Sequence, residues 1–518
     1  MTAAEPTAGE RAPLRTNVDP STPRPIDGAE KVGASSSVTV RGARRTMIGI
    51  IVLCTSGIAM SLTQTLIMPL IPTLPRILDT SASNASWAVT ATMAVGAMVT
   101  PIVGRLGDMY GKRRLLLICV AAVAVGSLIC AVAPGLTVFL VGRALQGLGV
   151  AFVSVGISVM REFVPAAKLG TAVGMMSSSL AVGGALGLPL SAFVAEVYSW
   201  RLLFFLAVGG SVACYVGIYS LVPPSVIRTG GRFDLVGAVG LSALLLTLLL
   251  PLSKGPDWGW ISPITMSLGG SAIVIFVGLV YYELRRPNPL LDLRIAARRD
   301  VLLANIVGVM AAFAFYGMEL VPIQMLMAPS SAPHGLGVSM MAAGLLMAPA
   351  GLAAFVSSNI GARMVTGFGA RSTLLTAGVL LITAVAAMLV ALVIEWQFPI
   401  AFLVGVTCVI GTSVGMSYAT LPTLIMEATP IEQTGEANGL NALMRIIGLA
   451  AAAAVVGMIL ANNVTDAAGT SFVVPSSSGY IGATVTTLVA GVVATVAAIF
   501  LSRKQHAMAA DVPRQYGR

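Results

Sequence analysis

The sequence predicts an all-helical integral membrane protein with fourteen transmembrane spans, and three observations lead there. The first is composition. The 518 residues are 56% hydrophobic and only 10% charged, with a mean hydropathy of +0.90, whereas soluble domains carry roughly 25% charged residues. A chain so poor in charge cannot coat a water-facing surface, which excludes an ordinary soluble enzyme.

The second observation is spacing. Apolar runs of roughly 18 to 25 residues, long enough to cross about 30 Å of hydrocarbon as helix, begin near Ile48, Trp87, Leu115, Leu136, Gly170, Leu202 and Leu235. A second series begins near Ile264, Val301, Met340, Leu374, Pro399, Gly439 and Tyr480. The third is the placement of charge. With the N-terminus inside, cytoplasmic connections hold Arg105, Lys112, Arg113, Arg114, Arg161, Arg228, Arg285, Arg299 and Arg371, and the outer ones only Arg76, Arg201 and Lys254. That is the positive-inside pattern, and Trp87, Trp200, Trp258, Trp260 and Trp396 all fall at outer span ends or in outer loops, where the headgroup layer suits them. The expected location is the plasma membrane, multi-pass, with both termini cytoplasmic.

The net charge of +10 is therefore read as orientation, and no nucleic-acid partner is expected, because the basic residues form short clusters between apolar stretches. Residues 1–45, rich in Pro, Ala, Thr and charge, are expected to be a disordered cytoplasmic tail, with the first span as signal anchor. Residues 504–518 form a second tail. The five cysteines lie in apolar segments without a CxxC neighbour or a histidine at ligand spacing, so no disulfide framework, metal or other cofactor is expected. No G-x4-G-K-[ST] phosphate cradle is present.

Along the chain, the first span ends in Leu62-Thr63-Gln64-Thr65-Leu66-Ile67-Met68-Pro69. The loop after the second reads Gly104-Arg105-Leu106-Gly107-Asp108-Met109-Tyr110-Gly111-Lys112-Arg113-Arg114. Its glycines permit a tight turn and close helix approach, and one carboxylate among four cations can act as a latch at the membrane surface. A worn copy, Gly361-Ala362-Arg363-Met364-Val365-Thr366-Gly367-Phe368-Gly369-Ala370-Arg371, lies 258 residues later with Thr366 in place of Asp108, so two equally strong latches are not expected. The fourth span carries Arg143-Ala144-Leu145-Gln146-Gly147, and an arginine there needs acceptors in the bundle interior; it is expected in the central cavity, with a structural bond to a neighbouring helix as the alternative. The fifth carries Gly174, Gly183, Gly187 and Pro189, which allow close packing and a bend. Glu319 is the acid expected well inside a span, towards its outer half, either exchanging protons in a cavity, or solvated and permanently ionised near the outer mouth, or pairing structurally with Arg143 or Arg445.

These segments resemble the major facilitator superfamily. The loop at Gly104 matches its signature G-x-L-a-D-r-x-G-r-k/r, Arg143 to Gly149 its R-x-x-Q-G-x-g motif, and Gly174, Gly183 and Gly187 the spacing of its antiporter motif. Leu188 stands where that motif has proline, and Ser191 and Ala192 replace its glycine pair. The first span is similar to the L-D-x-T segment of fourteen-span drug:proton antiporters, with Thr63 in place of the aspartate. The resemblance implies a six-helix bundle over residues 46–223, a second over 301–503, and two inserted transmembrane helices with cytoplasmic linkers over 224–300. It implies export of an amphipathic or hydrophobic small molecule by alternating access, in exchange for protons, by a monomer in contact with membrane lipid. Proton coupling is then expected at Glu319 and Arg143, and a conformational latch at Gly104, Arg105, Asp108, Gly111 and Arg113. A substrate cavity is expected around Thr63, Gln64, Met93, Gln146, Phe315 and Gln324, with Met60, Phe313, Met318 and Met347 adding apolar surface. Two other readings stay open, a facilitator importing a small polar nutrient and a lipid-handling membrane protein.

Overall fold

The computed structural model describes residues 29–67, 70, 74–80, 82–225, 228–230, 232–286, 289–332, 334–466 and 473–502. Among them are thirteen helices long and apolar enough to span a membrane. The longest, Met340–Val393, is two spans, because Gly369 interrupts it at φ 83°, a left-handed conformation that glycine adopts without a Cβ clash. The expected fourteen spans are all present.

In order they are α1 (Ala29–Thr65), α2 (Ala82–Tyr110), α3 (Lys112–Val132), α4 (Leu136–Gln146 continued by Phe152–Phe163), α5 (Ala166–Val197), α6 (Arg201–Leu221) and α7 (Leu235–Trp258). The second seven are α8 (Pro263–Arg285), α9 (Arg299–Met327), α10 (340–368), α11 (370–393), α12 (Ile400–Ala428), α13 (Thr434–Asn462) and α14 (Ser477–Ile499). Helix α1 begins inside the stretch expected to be a tail; residues 1–28 and 503–518 lie outside the described residues. A short antiparallel pair, β1 (Val464–Asp466) and β2 (Val473–Pro475), joins α13 to α14.

Local chemistry sets several of these boundaries. Ser262 caps α8 by accepting the Thr265 N–H at 3.3 Å, with Pro263 in the first turn. Gly111, at φ 106°, makes the turn from α2 into α3. In α4 a 3-10 turn over Gly147–Ala151 tightens the helix where it meets α2. A Cβ on Gly147 would stand 2.7 Å from the Thr92 carbonyl oxygen, so only glycine permits that approach.

Helices α1 to α6 pack round one core that includes Leu53, Met60, Val120, Phe152 and Met160. Helices α9 to α14 pack round another that includes Met318, Met325, Val385 and Tyr480. The halves meet along two seams, α2 against α13 and α5 against α10. The inserted pair joins the bundles in sequence but lies outside the first seam in space. Helix α7 packs Leu241 and Leu245 against Ala97 of α2 and Leu440 and Leu443 of α13. Helix α8 packs on α7 and leaves Ile273, Val274, Phe276 and Val277 exposed, as a lipid-facing surface requires.

Within the first bundle, Gly183 brings α5 onto α1. A Cβ there would stand 2.5 Å from the Ser61 Cβ and 2.6 Å from the Ile58 carbonyl oxygen, so backbone has to move. Gly183→Leu is therefore expected to lower thermal stability by at least the ~1–3 kcal/mol typical of overpacking. Gly209→Leu, whose Cβ meets nothing within 4 Å, should leave stability close to wild type; melting curves of the detergent-purified proteins compare the two.

Candidate functional site

A cavity of about 360 Å³ lies between the bundles, walled by α1, α2, α4 and α5 on one side and by α9, α10, α12 and α13 on the other. Its volume suits a drug-sized ligand. Much of the wall is apolar, with Met93, Phe315, Met318 and Met347 prominent, and hydroxyls of Ser61, Thr65, Ser178 and Thr407 interrupt it.

Among the described residues, two charged side chains line this cavity. Glu319 of α9 is exposed to it and, among the described residues, has neither a hydrogen bond nor an ion pair. The expected alternative of a structural pair with Arg143 or Arg445 is thus not what the structure has. Arg445 of α13 lies with its guanidinium carbon 4.6 Å from the centre of the Tyr418 ring, a cation–π arrangement. Tyr418 is an electrostatic neighbour of both Arg445 and Glu319.

Of the residues expected to line the cavity, Gln64, Met93 and Phe315 do. Thr63, Gln146 and Gln324 do not. Thr63 is buried, and its hydroxyl donates to the Ala59 carbonyl one turn back at 2.8 Å. Met60 and Phe313 belong to the bundle cores. Arg143 also lies outside the cavity wall. Its Nε donates to the Ala88 carbonyl of α2 at 2.9 Å and an NH1 donates to Gln146 Oε1 at 2.6 Å, while Gln146 Nε2 donates to Ser127 Oγ of α3 at 2.8 Å. A guanidinium satisfied inside the bundle ties α2, α3 and α4 together, which is the structural alternative for this residue.

The face that carries the arginine-rich loops, here the basic face, holds the second group of charged residues. Asp108 is buried at the N-terminus of α13. Its two oxygens accept the N–H groups of Gly435 at 3.1 Å and Glu436 at 2.9 Å, free donors of a first helical turn, where the helix dipole also favours an anion. Lys112 stands 3.2 Å from Asp108 and 2.9 Å from Glu162. Arg105 pairs with Glu436 at 3.1 Å, and the other Glu436 oxygen accepts the Asp292 N–H of the linker after α8. Gly104 admits this contact, since a Cβ there would stand 2.4 Å from the Gly435 carbonyl oxygen. Arg113 fixes the loop from outside, donating to the Tyr219 carbonyl and lying over that ring at 5.6 Å.

The second seam repeats the arrangement without the charge. A Cβ on Gly170, at the start of α5, would stand 3.4 Å from the Thr366 methyl, the counterpart of Gly435 against Asp108. The Thr366 hydroxyl donates instead to the Arg363 carbonyl of its own helix at 2.7 Å. Gly174 brings α5 onto α10, and Ser358 donates to its carbonyl at 3.2 Å. Gly187, like Gly183, packs on α1, and Pro189 lies within the helix. Arg161 donates to the Thr429 carbonyl at 3.2 Å, and Asn438 to Ser158 Oγ at 3.2 Å. These hydrogen bonds between the bundles lie in the half next to the basic face and hold the two bundles together on that side.

Sequence reasoning passed over Glu436, Gly435 and Tyr418, and weighed Arg445 only as a structural partner for Glu319. The first two had a signal, since Gly435, Ala437 and Gly439 in α13 repeat Gly170, Ala172 and Gly174 in α5.

Residues 53–453 match the sequence pattern of the Major Facilitator Superfamily, and the chain belongs to that family; it is a multi-pass membrane transporter. It is 28% identical over 395 residues to the multidrug resistance protein Stp of Mycobacterium tuberculosis, covering 76% of this chain and 71% of that one. It is 25% identical to a probable actinorhodin transporter of Streptomyces coelicolor, over 86% of this chain and 78% of that one. The tetracenomycin C resistance and export protein of Streptomyces glaucescens is 26% identical, over 76% and 72%. In fold it is similar to the human organic anion transporter MFSD10, at a TM-score of 0.62 and 15% identity, over 87% of this chain and 99% of that one.

Two predictions follow from this geometry. Asp108→Asn removes the charge held by α13 and leaves Lys112 with Glu162 alone, and breaking a buried pair costs about 3–5 kcal/mol. Spin labels at Tyr110 and Glu432 should accordingly report a longer and broader distance than in the unsubstituted background. Arg143→Lys loses the fork that reaches Ala88 and Gln146 together, so a drop in stability of about 1.5–3 kcal/mol is expected in thermal unfolding, with ligand affinity in the cavity unchanged.

Proposed function

We propose that the protein is a proton-coupled antiporter that exports amphipathic or hydrophobic small molecules by alternating access, working as a monomer in the cytoplasmic membrane with its basic face inside. The observation that carries this reading is Glu319, a carboxylate with no ion pair or hydrogen bond among the described residues, standing in the wall of a largely apolar cavity between the bundles. Such a group can take a proton from one side and release it to the other as the cavity changes its opening. Methionine and phenylalanine around it suit varied greasy ligands, and the names of relatives that resist or export antibiotics agree with that chemistry.

In the cycle, the basic-face contacts of Asp108 and Arg105 hold the inner side shut while a proton reaches Glu319 from outside. Their release opens the cavity to the cytoplasm, where the proton leaves and substrate enters. One inward proton releases about 2.3 kcal/mol per 100 mV, and a tenfold ratio corresponds to about 1.4 kcal/mol. A single proton thus supports a roughly 40-fold outward gradient of a neutral solute. Arg143, held inside its bundle, acts as a positioning residue for α2 and α4 and takes no proton itself.

Glu319→Gln mimics the protonated acid. In proteoliposomes with an imposed proton gradient it is expected to bind substrate with an affinity that no longer varies with pH and to lose concentrative export. Wild-type accumulation by this variant would place the coupling elsewhere.

A further inference from the structure

At the basic-face ends of α7 and α8, away from the central cavity, two acidic side chains meet with oxygens left unsatisfied. Asp234 caps α7. Its Oδ1 accepts the Gly237 N–H at 3.0 Å and the Tyr282 hydroxyl at 2.9 Å, and the Tyr282 oxygen accepts Arg286 Nε at 2.9 Å. Its Oδ2 has no partner. Glu283 is only 3% exposed, yet neither of its oxygens has a hydrogen-bond partner. A Cβ on Gly237 would stand 2.7 Å from Asp234 Oδ2 and 2.7 Å from Glu283 Oε1, so the two carboxylates share the space over that glycine.

Among the described residues, the cations near the pair are engaged elsewhere. From α2, Arg105 faces Glu283, but its guanidinium is held by Glu436. From the linker, the Leu290 and Leu291 N–H groups point towards Glu283 without reaching hydrogen-bond geometry. On its own helix, Arg286 is turned to Tyr282. Glu283 is buried and Asp234 half-buried; two carboxylates sharing such a space repel one another when both are charged, and one proton between them removes the repulsion and gives an unsatisfied oxygen its donor.

We propose that Asp234 and Glu283 form a proton-binding pair that holds one shared proton at the basic-face end of the inserted helices, separate from Glu319. The proton comes from and returns to the water on that face, and no other bond is made or broken. Its loss leaves a second anion in front of Arg105, in competition with Glu436, and so loosens the contact between α2 and α13.

Infrared difference spectroscopy of the purified full-length protein in nanodiscs tests this directly. A protonated-carboxyl carbonyl band is expected at neutral pH in wild type and in Glu319→Gln, and the contribution of one carboxyl should be lost in Glu283→Gln. Asp234→Asn keeps the helix cap but removes the partner with which Glu283 shares its proton, so it should lose the same contribution and carries the test if the first variant folds poorly. A band of wild-type strength in either folded variant would overturn the proposal. Disappearance of the wild-type band on adding sodium or potassium at constant pH would overturn it too, in favour of a metal-cation site.

Discussion

The joint between the two bundles depends on one carboxylate placed at one helix end. Asp108 takes the two free N–H groups at the start of α13, and in that position it also sets the place of Lys112, and through Lys112 that of Glu162. The same helix end supplies Glu436 to Arg105 and to the linker after α8. Two bundles and the inserted helices therefore meet at a single charged junction. Each member is expensive to bury alone and is stable only while the others are in place.

Much of the fold was legible because the bilayer leaves few choices. Run length gave the number of spans, and charge placement marked one face of the bundle as basic. The long helix from Met340 to Val393 shows the value of the repeat, since the worn copy of the signature marks the break at Gly369. The position of α7 and α8 outside the α2–α13 seam was not legible, because an inserted apolar helix carries no signal of the surface it will cover.

The cavity was harder to read. Gln64, Met93 and Phe315 were found from their place on spans, but Thr63 and Gln146 turned away. A turn of helix presents its residues in all directions, and sequence position alone does not say which face a neighbour occupies. Arg143 misled for a related reason: a charge inside a span must find acceptors, and a carbonyl and an amide inside its own bundle satisfied it. Conversely, Glu436 and Glu283 passed unnoticed, since each lies close to a span end, where charge is ordinary, although both are buried in the structure.

The cover that α7 and α8 place over one seam gives the protein a lateral asymmetry that its internal repeat lacks. A molecule dissolved in the bilayer and moving round the protein meets a wall of two helices along α2 and α13. Along α5 and α10 it meets exposed Leu190, Leu352 and Val356 directly. Two seams built from equivalent helices thus present two different surfaces to the lipid.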